Sequence, residues 1–126
     1  MLNVTVETMG ELAVVECEGK IVQSEAVLKL REAVTSQTDA RIVVLALSEV
    51  RAIEGGGLSM LVYLKRWTRE HNIRFLLFNP SKSVRNGLKR ARSMSEFYVA
   101  ALDEMAALMV YANSRYALTG SGERLS

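Results

Sequence analysis

The sequence predicts one α/β domain of order β-β-α-β-α-β-α-β-α: a mixed sheet with mostly parallel central strands and helices packed on it. Three observations carry this. "RIVVLAL" (41–47) and "IRFLLF" (73–78) are continuous apolar runs, the pattern of strands buried on both faces. The segments after them change to a helical period, so strands and helices alternate. The first twenty residues alternate polar with apolar, which adds an antiparallel hairpin at one edge.

The elements follow in order. In "LNVTVET" (2–8), Leu2, Val4 and Val6 face one way and Asn3, Thr5 and Glu7 the other. Met9-Gly10-Glu11 is a turn, "LAVVECEG" (12–19) is the second strand, and Gly19 ends it. From Ser24, an N-cap candidate, Val27, Leu30 and Val34 make an amphipathic helix to about Ser36. Strand 41–47 enters a glycine turn through Ser48-Glu49-Val50, and the next helix opens at about Gly57-Leu58 with "LSMLVYLKRWTREH". Asn79-Pro80 stops strand 73–78, and Ser81 caps a helix carrying Val84 and Leu88. A short strand "FYV" (97–99) precedes a helix from about Leu102, with Met105, Leu108 and Met109 at helical spacing. The domain spans 1–112. The turn-forming, polar "TGSGERLS" belongs to a flexible tail over 113–126.

Composition bounds the function. With 126 residues, 49% hydrophobic and 24% charged, the chain can bury a single core. A net charge of +2 makes no field that implies nucleic acid. No apolar run approaches the roughly 20 residues of a membrane span, and the alternating start does not read as a signal peptide. Cys17 is the single cysteine, which excludes an internal disulfide and fits a reducing compartment. With His71 as the single histidine, CxxC and HExxH zinc sites are absent. No metal or cofactor is expected.

The candidate site is "AIEGGGLSMLVYL" (52–64), where Gly55, Gly56 and Gly57 join a strand to a helix. N–H groups at a helix start can hold an anion. There is no GxxxxGK[ST] and no GxGxxG, so a close-packed turn stands beside the nucleotide-binding reading. No nucleophile-base-orienter set can be assembled from one cysteine and one histidine, so no enzyme is expected. Cys17 reads as a small core residue. His71 suits the dipole at a helix C-terminus. Glu54 would cap the helix or touch its N–H groups. Along the helix, Leu58, Leu61, Val62 and Leu64 supply the core side, and Met60, Tyr63 and Trp67 form a second stripe at i, i+3, i+7. That stripe either meets a partner, or the helix is enclosed on both sides with Trp67 folded over its end. A basic surface follows: Lys82, Arg85, Lys89, Arg90 and Arg92, with no acid until Glu96. It reads as a solvated face, or as a site for an acidic protein or anionic lipid headgroups. No helix-turn-helix or aromatic-interleaved motif points to nucleic acid.

From Arg41 to about Leu108 the pattern resembles the STAS domain family, the bacterial anti-sigma-factor antagonists and their relatives. That family has a buried strand, an "I-D-S-S-G-L" turn, a helix, a strand ending near Asn-Pro, another helix, and a short aromatic strand before a last helix. The counterparts here are Ile53-Glu54-Gly55-Gly56-Gly57-Leu58, then "FLLFNPSKSVRNGL", Phe97 and "DEMAAL"; Gly19 with Ile21 fits an early "G-x-L". The resemblance implies a protein-binding regulatory module, acting in signal transduction and transcription regulation in a bacterial cytoplasm. In the antagonist branch the first serine of the turn is phosphorylated by an anti-sigma kinase, which parts the pair. Here that position is Gly55, the second serine is Gly56, the aspartate is Glu54, and an aspartate in the preceding strand is Ala46. The partner-binding set is the turn, Glu54, Gly55, Gly56, Gly57 and Leu58, with neighbouring Ser59, which is not at the family's serine position, and the stripe Met60, Tyr63 and Trp67; the resemblance implies a kinase-fold anti-sigma factor as the partner. Two alternatives stay open: a STAS-like subunit of a lipid-transport complex, and a nucleotide-binding domain. The oligomeric state is not readable.

Overall fold

The computed structural model describes residues 1–22 and 24–112; the tail expected over 113–126 lies outside the described residues. Strands β1 (Leu2–Met9) and β2 (Leu12–Ile21) form the expected hairpin. Gly10 supplies the positive φ, 56°, that a tight hairpin turn needs. Helix α1 (Ser24–Thr35), β3 (Ile42–Ile53), α2 (Gly56–Glu70), β4 (Arg74–Phe78) and α3 (Lys82–Arg90) follow. A single tight turn, Met94–Glu96, leads into β5 (Tyr98–Ala100), and α4 spans 102–112.

The sheet runs β1-β2-β3-β4-β5, the order of the chain. The first pair is antiparallel and the other three are parallel. Two expectations are corrected. β2 does not end at Gly19 but continues to Ile21. β3 does not stop at residue 47 but runs to Ile53. Beyond Ala46, which pairs with Phe78, β4 no longer accompanies β3. The rest of β3 is held by β2 through Glu18↔Glu49, Gly19↔Val50 and Ile21↔Ile53, across two register shifts. Gly19 sits at the second shift with φ 120°, and a Cβ there would strike the Met1 carbonyl. The glycine serves the bulge rather than the strand's end.

Alternation along β3 divides the core. Val43 and Leu45 pack with Leu30, Val34, Leu61, Leu64, Val84 and Leu88, so α1, α2 and α3 share one face of the sheet. Val44 packs with Leu12, Leu76, Ala100, Met105 and Ala112, so α4 covers the other. No helix of the described residues is long and apolar enough to cross a membrane, and no three of their His, Cys, Asp or Glu side chains cluster as metal ligands would.

Candidate functional site

The last residues of β2 and β3, Ile21 and Ile53, lie side by side and almost fully buried. From there the chain must turn sharply into α2. The three glycines meet three different demands. Gly55 has φ 40° and ψ −103°, a backbone that side chains resist, with nothing within 4 Å of where its Cβ would stand. At Gly56 a Cβ would meet Val27 Cγ2 at 3.8 Å, an ordinary contact. At Gly57 it would collide with the Ile21 carbonyl oxygen and lie 2.9 Å from both Ile21 Cγ2 and Ile53 Cγ1. Gly57 therefore lets α2 sit directly on the strand ends.

The Gly57 N–H donates to the Glu54 carbonyl at 2.8 Å, and the Ser59 N–H to the Gly55 carbonyl at 3.0 Å. One donor that an anion would need, the Gly57 N–H, is thus satisfied within the turn, while the Ser59 N–H makes the first bond of the helix itself. Glu54 is exposed, and no side-chain hydrogen bond caps α2, so the capping role expected of Glu54 is corrected. What the turn presents to solvent is Glu54, Gly55, Gly56 and Ser59; Leu58 is half-buried and Gly57 buried.

The stripe on α2 lies between surface and core. Met60, Tyr63 and Trp67 are half-buried and pack against the main core. The Arg31 guanidinium of α1 stands 5.6 Å from the Tyr63 ring centroid, and that of Arg66 5.8 Å. Trp67 stacks on His71 with centroids 4.0 Å apart and planes at 22°. His71 Nδ1 lies 2.7 Å from the Trp67 carbonyl oxygen, so Nδ1 carries the proton and donates. His71 closes the helix end, as its position suggested. The large apolar residue that α2 does expose is Val62, at 41%. Cys17 is buried, and that burial pushes its thiol up to about 12, so it stays protonated and inert.

The bases expected on α3, Lys82, Arg85, Lys89 and Arg90, are exposed, as is Arg92 beyond its end. Val84 and Leu88 take the buried side. Not foreseen is how close α3 comes to the glycine turn. A Cβ on Gly87 would lie 3.3 Å from both Ile53 Cγ2 and Leu58 Cδ2. Ser81 Oγ donates to the Val50 carbonyl at 2.6 Å, and Ser83 Oγ to that of Arg51 at 2.8 Å, clamping the start of α3 to the extended half of β3. The signal was present in the serine pair at the helix start, but their acceptors lie 31 and 32 residues away.

The sequence profile of the STAS domain matches residues 3–104. No curated protein matches the chain significantly. Among solved structures, an anti-sigma factor antagonist from Mycobacterium paratuberculosis aligns with TM-score 0.71 at 17% identity, over 86% of this chain and 93% of its own. The anti-sigma factor antagonist SpoIIAA in its unphosphorylated form aligns with TM-score 0.69 at 15% identity, over 85% and 96%. The Bacillus cell fate determinant SpoIIAA in its phosphorylated form gives 0.65 at 15% identity, over 85% and 99%.

Proposed function

Because the chain belongs to the STAS domain family, we propose that it is a protein-binding regulatory module of the anti-sigma-factor-antagonist kind whose turn cannot be switched by phosphorylation. One observation carries the reading. Gly57 lets α2 sit on the strand ends, while the two positions directly after Glu54, Gly55 and Gly56, have no hydroxyl to modify. The contact surface is the exposed ledge of Glu54, Gly55, Gly56 and Ser59 with Leu58, extended along α2 by the outer edges of Met60, Tyr63 and Trp67. The adjoining bases of α3 favour a partner with acidic groups beside its main contact. The partner is a kinase-fold anti-sigma factor.

Phosphate on a serine adds about −1.5 to −2 charges and three acceptor oxygens, enough to disrupt a packed contact. Gly55 and Gly56 cannot receive it. Control then comes from abundance or from competition between partners. The test is incubation with ATP and the anti-sigma kinase, followed by peptide mass spectrometry and a binding measurement. The complex should persist with no phosphate on residues 54–58. Phosphate on Ser59 with binding lost in step would overturn the proposal.

A further inference from the structure

The second face of the sheet holds a groove that the glycine turn does not use. Five strands about 4.8 Å apart make a face about 19 Å wide, room for two helices of roughly 10 Å diameter. Among the described residues this face carries α4 alone. Beside α4 lies a groove of about 550 Å³. Its floor is apolar, from Val14, Ala46 and Phe78, and Met105 and Met109 of α4 form one wall. Leu102, 74% exposed, stands at its mouth.

The opposite wall is acidic. Glu7 of β1, Glu16 and Glu18 of β2 and Glu49 of β3 line it, all exposed, and no basic side chain does. Among the described residues no ion pair engages any of the four; the one present joins Arg41 to Glu11. The groove reaches from Asn3 to Glu7 along β1, four steps or about 13 Å, the length of two to three helical turns.

Size and charge select the occupant. Two copies facing each other across this groove would oppose four carboxylates with four, which disfavours a symmetric dimer. A neutral or acidic helix would leave the carboxylates unmatched as they lost water. A helix with an apolar stripe toward α4 and lysine or arginine toward the hairpin satisfies both walls. We propose that this groove is the docking slot for a basic amphipathic helix of a protein partner, seated beside α4. The slot lies on the sheet face opposite α2, so it can be filled while the glycine turn is engaged, and it stands independently of that turn's role.

The probe is a fluorescently labelled peptide of leucine and lysine at helical spacing, titrated into the full chain by anisotropy. Binding should be one to one and should weaken as salt rises. The double variant Glu16→Gln/Glu18→Gln should weaken it about tenfold. Ala106→Arg, exposed and on the α4 side of the groove, should abolish it through bulk and charge. Glu25→Gln/Glu32→Gln on α1 should leave it unchanged. Melting curves of each variant check folding. Equal affinity in all variants, or equal binding of a leucine–glutamate peptide, would overturn the proposal. So would sedimentation showing a dimer that Ala106→Arg disperses, since a second copy would then fill the slot.

Discussion

Alanine at Gly55, Gly56 and Gly57 in turn should produce three different losses of stability from three consecutive identical residues. At Gly57 the added carbon meets the Ile21 carbonyl and stands 2.9 Å from two isoleucine carbons whose residues are 0% and 2% exposed. Overpacking costs about 1–3 kcal/mol, and the upper end applies because a strand's carbonyl cannot rotate aside. At Gly55 there is space but φ is 40°, a strain of about 1–2 kcal/mol. At Gly56 there is neither crowding nor an unusual φ, and alanine should be neutral or stabilise by up to about 1 kcal/mol through the unfolded chain. At this size each kcal/mol moves the melting temperature by about 4 °C, so Gly57→Ala should lower it by about 12 °C and Gly55→Ala by about 4–8 °C. Urea titration, with the slope unchanged, gives the free energies. A Gly57→Ala protein within about 1 kcal/mol of wild type, or Gly56→Ala as the worst of the three, would refute the reasoning.

Three further outcomes are expected. Trp67→Ala should cost about 2 kcal/mol, less than the roughly 3–5 of a fully buried tryptophan, because the ring is half-buried and stacked on His71; a loss above about 4 would remove Trp67 from the contact surface. Ser81→Ala should cost about 1–2 kcal/mol, since its hydroxyl accepts from the Val84 N–H at 3.3 Å and donates to Val50; unchanged urea midpoints would contradict this. Cys17 should resist thiol reagents at pH 8 until the protein unfolds. Its thiol sits at about 12 folded against 9.0 unperturbed, so the unfolded chain loses that proton first. The stability from Cys17 is complete below pH 9 and falls as pH rises from 9 to 12; replacing Cys17 with alanine should flatten that fall in pH-dependent melting.

The α/β class and each strand and helix were readable because apolar periodicity is local. The two doubly buried runs announced parallel neighbours, and Ser81 announced its helix. What could not be read depends on residues far apart. The second half of β3, "SEVRAI", looks like a polar turn, yet pairing with β2 holds it extended although β4 has ended. The stripe of Met60, Tyr63 and Trp67 looked like surplus apolar surface on one helix. α1 lies alongside, and Arg31 covers the Tyr63 ring. The glycine turn was visible as a site, but its separate backbone demands required knowing where Ile21 ends. The acidic groove was invisible, since Glu7, Glu16 and Glu18 simply alternate as solvent-facing strand residues do.

The agreement between strand order and chain order has a consequence for how the molecule is made. Each new parallel strand joins the outer edge of the one before it, and none must slide between two already paired. The parallel pairs join residues as near as Leu12 and Ile42, Ile42 and Arg74, or Leu76 and Tyr98. Closing such loops of about 20–30 residues carries a modest entropic cost, and a doubling of length would add only about 0.6 kcal/mol. A chain emerging from the ribosome can therefore build this sheet by accretion, strand after strand, with the hairpin as its seed. The growing edge stays open to neighbouring chains until β5 arrives, and that strand, three residues long, leaves little ladder for another molecule to extend.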